Sequence, residues 1–82
     1  MLLEILTPDK KVFSEEIKLI QVPGTNGKFE VLKNHAPIVS TLENGKIKII
    51  AMDGNKTFFN IQKGVIEVLK NKVIVLAEKI IE

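Results

Sequence analysis

The chain has no cysteine and no arginine in its 82 residues. Without cysteine there is no disulfide framework, no zinc–thiolate site and no thiol redox chemistry. Without arginine, two-pronged recognition of phosphate, guanine or carboxylate is missing, because lysine offers only a point charge. No apolar run approaches the roughly 20 residues needed to span a bilayer as a helix. Glu4 follows Met1-Leu2-Leu3 at once, so these residues are not expected to be a signal peptide. Histidine occurs once, at position 35, and serine only at 14 and 40, so there is little from which to build a nucleophile and its base.

What is present is a mixed surface around an ordinary apolar fraction. The 12 basic residues are spread among 10 acids, for a net charge of +2. That balance predicts no nucleic-acid footprint. An apolar content of 45% is enough for a folded core, and residues 1–82 are read as one domain. The expected location is the cytosol, or a membrane machine reached only through partners.

Period-two alternation runs through almost the whole chain. Leu3, Ile5 and Thr7 share one face of a first strand. Lys11-Val12-Phe13 reads as a second, Ile17 to Val22 as a third, and Phe29-Glu30-Val31-Leu32 as a short fourth. Ile38 to Leu42 stops at Asn44-Gly45, read as a hairpin signal, and Asp53-Gly54 is read as another. Lys46-Ile47-Lys48-Ile49 puts lysines out and isoleucines in. Lys70-Asn71 turns the chain into Val73-Ile74-Val75-Leu76-Ala77. No segment shows a helical stripe. The expectation is an all-β fold, a flattened sandwich or barrel of about eight to ten short, mostly antiparallel strands.

Residues 22–38, V-P-G-T-N-G-K-F-E-V-L-K-N-H-A-P-I, form a rigid polar corner: Pro23-Gly24 and Asn26-Gly27 are turn signals, and Pro37 breaks the segment again. This pattern, P-G-x-x-G-x-F-x-V-L-x-x-H-A-P, resembles the signature of the epsilon subunit of F-type ATP synthases. Leu3-Glu4-Ile5-Leu6-Thr7-Pro8, Gly64-Val65-Ile66-Glu67-Val68 and Val73-Ile74-Val75-Leu76-Ala77-Glu78 follow in register. The likeness covers the amino-terminal β-sandwich of the usual family member. Glu30 stands where the family usually has glycine, and Lys33 where it usually has proline.

The resemblance implies a non-catalytic central-stalk subunit, peripheral on the cytoplasmic face of the bacterial inner membrane. It would link the gamma subunit to the ring of c subunits, with synthesis itself in the alpha-beta head. By position, Thr7, His35 and Ser40 would face gamma, and Thr25, Asn26, Gly27, Lys28 and Glu30 would face the polar loops of the ring. Family members usually continue into two carboxy-terminal helices. Because the sequence starts at its own Met1 and stops at Glu82, a short form is expected here rather than a trimmed domain. Such a form would exert no tail-dependent inhibition and bind no ATP. Neither a cofactor nor a metal is expected, since Glu15-Glu16 point apart on a strand and Asp53-Gly54-Asn55 lacks the remaining ligands of a calcium loop. The competing class is a small oligonucleotide-binding barrel with Phe58 or Phe59 as a stacking platform; adjacent strand residues face opposite sides, so at most one could serve.

Overall fold

A computed structural model describes residues 1–81 and consists of strands and turns throughout. The seven strands are β1 (Leu2–Leu6), β2 (Lys11–Gly24), β3 (Gly27–Leu32), β4 (Ile38–Leu42), β5 (Gly45–Ala51), β6 (Lys56–Leu69) and β7 (Lys72–Ile81). Glu82, the last residue of the expected terminal segment 79–82, lies outside the described residues.

The pairings resolve into two layers. One runs β4-β6-β7-β1-β2 and uses the second half of β6 and the first half of β2. The other runs β3-β2-β5-β6 and uses the opposite halves of the same two strands. All pairs are antiparallel except β1 with β7, which run parallel from Leu2↔Lys72 to Leu6↔Leu76. β2 crosses between layers at a register irregularity between Ile17 and Leu19. β6 crosses at Lys63, which stands at φ 47. The Asn44 side-chain oxygen accepts the Lys63 backbone N–H at 2.9 Å, so the bend leaves no orphaned donor.

The core lies between the layers. Leu3, Ile5, Ile66, Val73 and Val75 point in from the first, and Ile20, Val22, Val31, Ile47 and Ile49 from the second, all fully buried. Nearly all are β-branched, which suits a pleated surface because their rotamers are already restricted. Each contributes roughly 1.5–3 kcal/mol on burial. Phe13 and Phe59 meet edge to face across the layers, with ring centroids 5.8 Å apart. Among the described residues no polar side chain is buried.

Three expectations need correction. The strands number seven, because Ser14-Glu15-Glu16 and Gln62-Lys63 are solvent-facing but do not end the strands they lie in, so pairs of expected strands fuse into β2 and β6. Asn44-Gly45 is not a hairpin: β4 and β5 do not pair with each other and belong to different layers. Pro23-Gly24 is not a separate turn, since both residues pair with β3 as Pro23↔Lys28 and Gly24↔Gly27. The reversal is confined to Thr25-Asn26. Asp53-Gly54 and Lys70-Asn71 do turn the chain, with positive φ at Gly54, Lys70 and Asn71.

The two glycines of the β2–β3 hairpin are needed for different reasons. Gly27 sits at φ 125, a conformation that side chains strain to adopt. At Gly24 a Cβ would lie 2.6 Å from the Gly27 carbonyl oxygen and 2.8 Å from the Phe29 ring. Gly27→Val and Gly24→Val should each lower stability by about 1–3 kcal/mol. Urea unfolding followed by circular dichroism checks this, and unchanged midpoints would show that neither constraint operates.

Candidate functional site

The Thr25-Asn26 turn is fastened to the end of β4. The Thr25 backbone N–H donates to the Thr41 carbonyl at 3.1 Å, the two threonine hydroxyls lie 2.6 Å apart, and the Glu43 N–H donates to the Pro23 carbonyl at 2.8 Å. The tip therefore cannot swing without breaking several bonds. Thr25, Asn26, Gly27, Lys28 and Glu30 are all exposed there. Lys28 and Glu30 project from the same side of β3, while Phe29 and Val31 point inward.

His35 lies at the opposite end of the sandwich. Asn71 accepts the Asn34 backbone N–H on its side-chain oxygen at 2.6 Å and donates its own amide to the Asn34 side-chain oxygen at 2.9 Å. Asn34 can adopt its φ of 65 because asparagine tolerates the left-handed region. The Asn71 carbonyl in turn accepts from the Leu2 N–H, which places this corner beside the start of β1. His35 Nδ1 is 2.7 Å from the Ala36 carbonyl. A carbonyl only accepts, so that nitrogen carries a proton and donates it. No nucleophile is bonded to the ring.

The expected gamma-facing residues do not converge into one cluster. Thr7 follows the far end of β1, about 16 Å along the strand from the His35 corner. Thr7 instead shares a groove of about 680 Å³ with Thr25, Thr41, Val65 and Leu76. Ser40 lies on the core side of β4 with Ile38 and Leu42, half-buried at that edge strand. Thr7 and His35 stand at opposite ends of β1: Thr7 follows its last residue, and the His35 corner is tied through Asn34 and Asn71 to its first.

The outer face of the first layer is largely apolar, and sequence reasoning missed it. Val39 is 71% exposed, Leu76 51% and Leu69 50%. Cross-strand pairing aligns Thr41↔Val65↔Leu76 in one row and Val39↔Glu67↔Ile74 in the next. The signal was available in Val73-Ile74-Val75-Leu76, an apolar run with no alternation, as expected of a strand covered on both sides. Glu67 interrupts this face with a carboxylate, and so does Glu4. Lys11 holds one carboxylate oxygen at 3.1 Å and Lys72 the other at 3.7 Å. The hydrogen bond from Lys11 chiefly, with the charges of both lysines and the Ser14 hydroxyl, keeps its pKa below the ordinary carboxylate range despite partial desolvation.

Residues 1–82 match the family described as ATP synthase, Delta/Epsilon chain, beta-sandwich domain. The chain belongs to that family. It is 44% identical over 78 residues to the ATP synthase epsilon chain of Chlorobaculum tepidum, covering 95% of this chain and 89% of that one. The epsilon chain of Protochlamydia amoebophila is also 44% identical over 78 residues, but the match covers 53% of its length. In solved structures the fold recurs in Euglena gracilis mitochondrial ATP synthase (OSCP/F1/c-ring), with a TM-score of 0.91 at 21% identity over 96% of this chain and 51% of that one. It recurs again in the central stalk/c-ring of Tetrahymena thermophila mitochondrial ATP synthase, with a TM-score of 0.83 at 14% identity over 99% of this chain and 65% of that one. These two likenesses show the fold. The sandwich and its family are thus as expected, and the family is that of a non-catalytic ATP synthase subunit.

Two outcomes follow from the geometry. Asn71→Ala removes both bonds to Asn34 and should cost about 1–2 kcal/mol, with faster amide exchange at Asn34 and His35. Unaltered exchange would show that the corner holds without Asn71. For Glu4, the folded-state pKa lies below the unfolded one, so its contribution is complete above the unfolded pKa of about 4.3 and is lost as pH falls through the folded value. Melting temperatures of the parent and Glu4→Gln should therefore differ at neutral pH and converge in acid; a gap that persists at the lowest pH would contradict the ion-pair account.

Proposed function

We propose that this domain is a rotor component of the central stalk, joining the gamma subunit to the c-ring so that ion-driven rotation of the ring turns the stalk. The observation that carries the proposal is the exposed apolar face of the first layer, in a chain whose family is that of ATP synthase epsilon subunits. Val39, Leu69 and Leu76 are open on one sheet face, and grouped exposed apolar residues of this kind mark protein contact surfaces. Gamma is the occupant proposed for that face, with Thr7 and His35 at the two ends of β1 and Ser40 on the edge strand β4. The ring is proposed to meet the fastened turn, through Thr25, Asn26, Gly27, Lys28 and Glu30. The arrangement suits torque transmission, because the tip and the apolar face are held by one continuous hydrogen-bonded framework. The complex would sit on the cytoplasmic face of the bacterial inner membrane, and the choice between H⁺ and Na⁺ would lie in the ring.

Capture of the gamma subunit of the same organism by the immobilised 82-residue chain tests the proposal. Val39→Asp and Leu76→Asp sit on solvent-exposed positions and should leave the melting temperature nearly unchanged. Each should weaken capture by about tenfold or more, since a charge would then be buried unpaired in the contact. Undiminished capture by the double variant would place gamma elsewhere.

A further inference from the structure

The outer face of the second layer differs from the first in chemistry. Alternation sends Ile47 and Ile49 of β5 inward and Lys46 and Lys48 outward. In β6 it sends Phe59 and Ile61 inward and Lys56 and Phe58 outward. Pairing then sets Lys48 opposite Phe58 and Ile50 opposite Lys56, while Lys28 projects from the same face of β3. The Lys46 ammonium lies 5.4 Å from the centre of the Phe58 ring. Against these four lysines the face carries one acid, Glu30. Among the described residues the lysines that form ion pairs are Lys11 and Lys72, both bonded to Glu4 on the other layer. The two outer faces therefore differ in charge: the first layer's holds Glu4, Glu16 and Glu67 with Lys11 and Lys72 paired to Glu4, and the second's carries four lysines against one acid.

On the β6 edge of this face Phe58 is 52% exposed beside Lys46, Lys48 and Lys56, and on the opposite β3 edge Leu32 is 51% exposed. We propose that this face docks on the anionic headgroup surface of a lipid bilayer. Lysine suits that role: a flexible stem packs on apolar surface while a compact charge reaches a diffuse layer of phosphates. An exposed phenylalanine among lysines adds shallow burial at the headgroup boundary. Nucleic acid is a poorer match, since the chain has no arginine for base edges and a single outward aromatic ring for stacking. The face is distinct from the surface proposed for gamma, and it shares only Lys28 and Glu30 with the surface proposed for the ring. The choice of a bilayer as occupant rests on the stalk reading, which brings the domain close to a membrane.

The test is co-sedimentation of the full chain with vesicles containing phosphatidylglycerol and with vesicles of phosphatidylcholine alone. Binding is expected to the first and not the second, and should fall steeply with salt. Lys46→Gln, Lys48→Gln and Lys56→Gln combined should weaken it about a hundredfold, at roughly fivefold per lysine. The control Lys10→Gln with Lys70→Gln should bind like the parent. Gamma capture should be unaffected by the triple variant, so vesicle binding can fail while the stalk reading stands. Absence of binding to anionic vesicles at low salt, equal binding by the triple variant, or stronger binding to oligo-thymidine than to vesicles would each overturn the proposal.

Discussion

Two strands of fourteen residues, β2 and β6, each belong to both layers, and the rest of the structure depends on that sharing. A strand that serves two sheets must change direction once without losing its register, because a one-residue slip would send its inward isoleucines to solvent. In β6 the change falls at Lys63, whose amide is taken by Asn44 from the loop between β4 and β5. That loop is thus a clamp on a bend. The same two strands place β4 on one side and β3 and β5 on the other, so the fastened turn, the His35 corner and both outer faces all take their positions from two bends.

Much of this was legible in the sequence, and the part that was not has a physical cause. Alternation located the core side chains well: Ile47 and Ile49 are inward and Lys46 and Lys48 outward, as their spacing predicts. Strand ends were harder, because polarity and turning are different properties. Ser14-Glu15-Glu16 looks like an interruption, yet an extended chain can carry three exposed polar residues at a sheet margin. Asn44-Gly45 carries strong hairpin chemistry, but whether strands pair is decided by long-range packing. The site residues came from resemblance, position by position. The structure adds that Thr7 and His35 are separated along β1 and that Ser40 faces the other way. The apolar cover on Val39 and Leu76 needed a question about the second face of each strand, which a search for one buried stripe does not ask.

The two outer faces divide the labour of recognition by chemistry. An apolar strip with scattered carboxylates favours a shape-matched protein surface, where buried area supplies the stability and charge sets the orientation. A lysine-rich face favours a partner without fixed shape, because its attraction is long-ranged and tolerant of geometry. Glu4 fits this division: bracketed by Lys11 and Lys72, it introduces a charge into the apolar face already neutralised by its neighbours.

The parallel pairing of β1 with β7 sets a schedule for synthesis. Leu2 and Lys72 are neighbours in the sheet though about seventy residues apart in the chain. β1 must wait for β7, made about seventy residues later, before its second edge is satisfied. Such distant pairing slows folding, because the entropy of closing the loop is lost before the contacts form. A nascent chain would therefore leave the ribosome with an open edge on β1, and closure would come as one late, cooperative step once β7 has emerged.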